Sequence, residues 1–347
     1  MKNLKFLFLI LIILSKTGNV LSVESIFTVN NIQINKNTFK NKEELINIAF
    51  KKGFEKLNRK ILLEEDYIKV KNTSLKNIKN LISHYQIVKN KDFSMQNFEL
   101  INLYFKRDKM YNFYSQNNIK YSDVSGKILK ILPVLLLNDE IFIYDNNFFY
   151  ENWLDNKEKK SENIEYIFPI ENIETIESIK KNQEDLQMVD LNNIFDGDTE
   201  KDNLLIIIDY DKKKTKFFLK GNISSKKIIK NITFPEKTVK KMEYSIILKF
   251  LKNEILELVK SQNIIDIGTP SFINVNFLLN NQNDLFLFQN ILQEIDLVES
   301  FSVREFNNKF AYVNIKYYGK INKIKEKLIK RGLDINFINN QWSARLK

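Results

Sequence analysis

The chain has 347 residues, carries 54 lysines and arginines against 43 aspartates and glutamates for a formal charge of +11, and contains no cysteine and a single histidine. That length suffices for two or three domains, each with its own core, and the counts leave no basis for a disulfide framework, a lipid-bearing thiol, an ordinary zinc centre or a histidine-driven catalytic triad. The basic excess is almost wholly lysine, Arg59, Arg107, Arg304, Arg331 and Arg345 being the only arginines. Lys, Asn, Ile and Phe are abundant while Gly and Pro are scarce, the bias of AT-rich coding, so composition alone accounts for the charge. Its functional side is a surface that attracts an anionic membrane or cell wall weakly. Nucleic acid is not expected as a partner, because there is no arginine cluster and no basic ribbon interleaved with aromatics.

Residues 1–5 carry two lysines, 6–14 are an unbroken apolar run, and Val20-Leu21-Ser22 ends on a small residue. This is the layout of a secretory signal peptide over residues 1–22, too short to span a bilayer as a lone helix; an uncleaved anchor is the alternative. Export to the periplasm without a lipid anchor is the expectation.

Residues 23–125 read as an amino-terminal α+β domain. A strand over 25–34 is followed by Asn41 with Glu44 three residues on, the spacing of a capping box. Leu45, Ala49, Gly53 and Leu57 then share one face with Ile46, Phe50 and Ile61, so a helix is predicted to residue 63. Gly53 within that face implies close backbone packing. A helix at 75–82, strands at 84–88 and 98–105 and a helix at 107–117 complete a β-α-β-β-α unit.

Residues 126–264 read as a central two-layer α/β sandwich. Its anchor is 131–153, ILPVLLLNDEIFIYDNNFFYENW, a buried strand and its exit. A strand at 164–169, a helix at 173–181 and strands at 204–209, 215–219 and 226–234 follow, the last three as a meander with Gly221-Asn222 at a turn. An amphipathic helix at 244–262 covers them. Gly268-Thr269-Pro270 breaks the pattern. Residues 270–347 then run strand 272–279, helix 284–295, strands 298–306 and 310–317, helix 321–330 and strand 333–338, with 342–346 as a last strand. The first six make the β-α-β-β-α-β order of a ferredoxin-like domain, with Asn307-Asn308 at the hairpin and Gly332 at a helix C-cap. The fold class is therefore α/β (α+β) in three small modules.

Three stretches carry a resemblance: Ala49-Phe50-Lys51-Lys52-Gly53 with Tyr104-Phe105-Lys106; Leu132-Pro133-Val134-Leu135 with Asp145-Asn146-Asn147 and Trp153; and Tyr317-Tyr318-Gly319, Gly332-Leu333 and Trp342. In these the chain resembles an exported proteobacterial family known as domain of unknown function 2066, whose members often carry tryptophan where this chain has Phe148 and Phe149. More distantly, the first two units are similar in element order to the paired domains of the flagellar H-ring assembly protein, and the second to Tol-system amino-terminal domains. The family implies no activity, ligand or catalytic residue; the distant likenesses imply an envelope adaptor, by analogy of fold order alone.

Few residues suggest chemistry. His84 lies in a predicted strand and reads as a structural side chain. Asp196-Gly197-Asp198-Thr199-Glu200-Lys201-Asp202 lacks the glycine and the bidentate acid of a calcium loop. Ser178-Ile179-Lys180-Lys181 and Ser224-Ser225-Lys226-Lys227 have a serine-lysine spacing without its companion motifs. Asp139, Glu140, Asp145 and Glu151 near the exit of the central strand are the candidates for a carboxylate pair acting on cell-wall glycan. Asp145, Asn146, Asn147, Phe148, Phe149 and Trp153 are the candidate interaction residues, since adjacent aromatics leaving a strand cannot both point inward. No catalytic residue, cofactor or metal is assigned. The expectation is a non-enzymatic periplasmic adaptor or assembly factor that contacts an envelope protein; the alternatives are a carboxylate-dependent glycan hydrolase or a binder of anionic polymer or lipid.

Overall fold

The computed structural model describes residues 25–36, 41–88, 97–124, 126–154, 164–182, 185–195, 197, 201–211, 214–235, 243–281 and 283–347. The signal peptide expected over 1–22 and most of the acidic loop 196–202 lie outside the described residues. Among the described residues no helix is long and apolar enough to cross a membrane.

The amino-terminal elements are β1 (Thr28–Asn35), α1 (Lys42–Ile61), α2 (Glu64–Val70), α3 (Leu75–Leu81), β2 (Ile82–Val88), β3 (Phe98–Phe105) and α4 (Arg107–Gln116). The next are β4 (Tyr121–Ser122), β5 (Lys127–Leu137), β6 (Glu140–Phe142), α5 (Phe148–Trp153), β7 (Ile164–Ile167), α6 (Ile173–Lys181) and α7 (Leu191–Ile194). A meander of β8 (Asn203–Tyr210), β9 (Lys216–Ile223) and β10 (Lys226–Thr233) leads to α8 (Tyr244–Gln262) and β11 (Ile264–Ile265). The last are β12 (Ser271–Leu278), α9 (Asp284–Glu294), β13 (Val298–Phe306), β14 (Phe310–Tyr317), α10 (Ile321–Lys330), β15 (Leu333–Ile338) and β16 (Gln341–Leu346). The class is mixed α/β, as expected.

These elements form two compact units, not three in series. The first takes residues 25–53, 75–113 and 267–347. In its smaller sheet, β3 lies between β1 and β2, antiparallel to both. The Asn41 side chain accepts from the Glu44 amide (2.8 Å), the N-cap that the sequence promises. A Cβ on Gly53 would stand 2.3 Å from Leu103 Cδ1 and 2.7 Å from Ile32 Cδ1, so the helix lies close against the sheet and those two side-chain ends would have to shift to admit a larger residue.

The larger sheet of this unit has the order β13-β14-β12-β16-β15. Ile273, Val275, Phe277, Val313 and Ile315 alternate onto one buried face, and the Phe277 ring stacks on Phe288 of α9 at 4.1 Å. The β-α-β-β-α-β order is present, but its fourth strand, β15, does not sit beside its first, β12. Asn339 and Asn340 both have positive φ (51° and 61°), the backbone of a two-residue hairpin turn. That turn folds β16 back between β12 and β15, parallel to β12, and makes β15 the edge.

The amino- and carboxy-terminal elements belong to one unit because they share polar contacts around Asp296. Its carboxylate accepts from Ser25 Oγ (3.1 Å) and the Ile26 amide (3.0 Å), its carbonyl accepts from the Tyr111 hydroxyl, and Arg107 donates to the Ile295 carbonyl (3.0 Å). The Tyr111 ring meets Phe27 and Tyr318 edge-on.

The second unit takes residues 54–74 and 114–266. Its sheet has the order β10-β9-β8-β5-β6, with β7 also pairing β5. One face of β5 and β8 (Ile131, Leu135, Leu204, Ile206, Ile208) packs under Ile247, Leu251 and Ile255 of α8, but the unit is not the two-layer sandwich expected. The opposite face (Leu132, Val134, Leu205, Ile207) is covered as well, by Ile179, Val189, Ile194 and Phe195. A strand buried on both faces reads as an unbroken apolar run, which is why LPVLLL and LLIII do not alternate. Gly221 is not at a turn as expected: it lies within β9, where a Cβ would stand 2.1 Å from the Asn203 carbonyl oxygen. Ser224 and Ser225, with φ of 52° and 63°, make the turn instead.

The corner between α1 and α2 is held by two charged side chains from α8. Lys260, only 3% exposed, donates at 2.7 Å to the carbonyls of Arg59 and Leu62 and to Glu257 Oε1. The other carboxylate oxygen of Glu257 accepts from the Glu64 amide (3.0 Å) at the start of α2, where Leu63 offers no side-chain cap. A cation thus faces the C-terminal end of one helix and an anion the N-terminal end of the next, the arrangement helix dipoles favour.

Tyr114 is fully buried and donates to Asn58 Oδ1 (2.9 Å). Burial holds its phenol well above the ordinary tyrosine range; burial also raises Tyr244, and burial with Glu299 pushes Tyr318 up to about 12. A raised folded-state value contributes stability that is complete below the unfolded-chain value of about 10 and is lost as pH rises towards the folded value. Stability is therefore expected to be level up to about pH 9.5 and then to fall, Tyr114 contributing a slope of about 1.4 kcal/mol per pH unit. Urea midpoints measured between pH 8 and 11 check this, and Tyr114→Phe is expected to flatten the alkaline limb.

Candidate functional site

The exit of the central strand, where the sequence places the candidate interaction residues, is mostly a structural device. β5 turns through Asn138 and Asp139 into β6, and a further turn leads to Asn147 at the N-cap of α5. The Asn147 amide nitrogen donates to the carbonyls of Pro133, Phe142 and Ile143 (2.9, 3.0 and 2.9 Å), while its oxygen accepts from the amides of Phe149 and Tyr150 (3.1 and 3.3 Å). This also explains a proline in a central strand. The amide and carbonyl of one strand residue point the same way, and the Pro133 carbonyl points to Asn147. Among the described residues that side of β5 has no partner strand between the residues paired with β7 (127–130) and with β6 (135–137), so the missing N–H costs no ladder bond there.

Phe148 and Phe149 leave a helix, not a strand. Phe149 and Trp153 are fully buried, Phe148 is half-buried against Tyr244 (5.2 Å), and only Asp145 and Asn146 are exposed. The exposed aromatic contact expected here is absent because these rings fill the core under α8. Asp139, Glu140, Asp145 and Glu151 are all exposed on the surface. Tyr150 donates to Glu171 (2.8 Å), and burial together with that contact raises its phenol.

Ser224 has a lysine beside it, but Lys127 and not Lys227: Lys127 Nζ lies 3.1 Å from Ser224 Oγ and 2.9 Å from Asp202. That lysine is paired with Asp202, and the serine hydroxyl donates to Asn263 Oδ1 (2.9 Å), so the contact braces the turn between β9 and β10. Among the described residues no group of three His, Asp or Glu side chains is placed to hold a metal ion.

The feature with an open valence is the edge strand β2. Its sequence ISHYQIV, rich in β-branched and aromatic residues, follows α3 directly and pairs with β3 from Ile82↔Phe105 to Val88↔Leu100. Its other edge meets no strand among the described residues. On one face His84 stacks on its cross-strand partner Tyr104 (4.2 Å), a structural role as the sequence suggests. On the other, Tyr85 meets Phe50 of α1 edge-on (5.6 Å), yet Tyr85 and Ile87 remain 40% and 37% exposed because no further strand covers them.

Edge strands ordinarily carry charges or kinks that block further pairing. β10 carries Lys226, Lys227 and Lys230; β13 carries Glu299, Arg304 and Glu305 with two register shifts; β15 carries Asp334. β1 is uncharged but kinked at Asn31 (φ 55°), whose amide donates to Asn102. β2 has no charge, and its one register shift is confined to its first residues. Sequence reasoning placed this strand but did not single it out; the absence of charge in ISHYQIV was the signal available. No protein-family model, curated protein or solved structure matches the chain.

Proposed function

We propose that this chain is a non-enzymatic, exported cell-envelope protein that recognises another protein by accepting one of its extended segments as a fourth strand beside β2. The observation that carries this is the unguarded edge itself: an uncharged strand whose residues 83–87 are exposed, with Tyr85 and Ile87 offering an apolar shelf beside it. In strand addition the backbone ladder supplies affinity, and alternate side chains meeting such a shelf supply specificity. Export rests on the layout of residues 1–22, and an adaptor role on the likeness in element order to envelope assembly proteins.

The test places a photo-reactive residue at Gln86 on β2 or, as a control, at Lys226 on the guarded edge β10, both exposed, in the full chain in its native envelope. A single protein adduct is expected from position 86 and not from 226, and Ile87→Lys is expected to abolish it by placing a charge on the edge. Equal adducts at both positions, or none at 86, would contradict the reading.

A further inference from the structure

We infer a second binding site, independent of β2, in the carboxy-terminal sheet, and assign it to a neutral saccharide. β12 pairs with β14 along all of Ser271–Leu278 but with β16 only from Val275 to Phe277, because the 339–340 turn marks where β16 begins. Residues 271–274 therefore keep one edge without a partner strand among the described residues. There a cavity of about 370 Å³ opens, with the aromatic residues Phe272, Tyr312 and Trp342 and the amide-bearing residues Asn274, Asn340 and Gln341 among those that line it.

That volume lies at the lower end of small-ligand pockets and admits one or two sugar rings. The lining contains no carboxylate, lysine or arginine, which removes the basis for holding an anion or a cation. Aromatic faces accept the C–H faces of a pyranose, and a carboxamide both donates and accepts, so it matches neighbouring hydroxyls that do the same. Asn274 is already oriented, its oxygen accepting from Asn314 Nδ2 (2.7 Å). Trp342 is half-buried, with Phe337 5.0 Å from its ring. An added peptide strand fits less well, because the free edge is short and is closed off by the 339–340 turn.

The chain's two tryptophans separate cleanly for a test: Trp153 is fully buried, whereas Trp342 lines the cavity. The full chain is titrated with tetramers of β-linked N-acetylglucosamine, β-linked glucose and α-linked glucose, followed by tryptophan emission and by calorimetry. At least one tetramer is expected to saturate with a Kd below about 1 mM. Gln341→Ala is expected to weaken it at least tenfold, and Trp342→Phe to abolish the emission change, with circular dichroism unchanged in both variants. No saturation by any tetramer up to about 10 mM, or saturation that neither substitution alters, would overturn the assignment.

Discussion

Replacing Lys260 by methionine is expected to cost about 3–5 kcal/mol of folding stability, the range for breaking a buried ion pair on one side. The side chain is buried, and its three donors are committed to two backbone carbonyls and to Glu257. Methionine fills the space but leaves the Arg59 and Leu62 carbonyls without that donor and places the Glu257 carboxylate beside an apolar group. Glu257→Gln is expected to be much milder, about 1 kcal/mol, because an amide oxygen still accepts from the Glu64 amide. Chemical denaturation of the two variants checks both values; near-equal losses would mean that the attraction between the charges, and not the capping of the two helix ends, holds this corner.

The second large effect is at Asn147, where the order of two substitutions is diagnostic. Asn147→Ala removes the cap of α5 and the amide that serves three carbonyls, an expected loss of about 3 kcal/mol. Asn147→Asp keeps the cap oxygen but turns a buried anion towards those same carbonyls, and is expected to be at least as damaging. A stable Asp variant beside an unstable Ala variant would reduce Asn147 to an ordinary N-cap. Either result is read from denaturant midpoints, with loss of Trp153 burial followed by its fluorescence.

The helices at 42–61, 244–262 and 321–330 and the strands at 98–105, 298–306 and 310–317 were legible within a residue or two, because each has an apolar period that one face alone must satisfy. α5 was not, because FFYENW has the composition of a strand and becomes helical through the cap at Asn147. The two-residue pairing of β4 with β11 had no local signal, being made between Tyr121-Ser122 and Ile264-Ile265. The placement of β16 was half legible: Asn339-Asn340 is a hairpin signal, but insertion beside β12 is a choice between distant partners. The same limit governed the site. Phe149 and Trp153 are as aromatic as Trp342, and only packing decides that the first two are core and the third lines a cavity. The uncharged β2 could be read from ISHYQIV; its position at an edge could not, because strand order follows from pairings far apart in the chain.

The most direct test of recognition through β2 is amide hydrogen exchange over residues 82–88, with and without the protein captured through position 86. If the partner adds a strand, exchange of the outward-facing β2 amides slows at least tenfold on binding, while β10 is unchanged. If the partner binds and the β2 amides exchange at their free rate, strand addition at this edge is wrong.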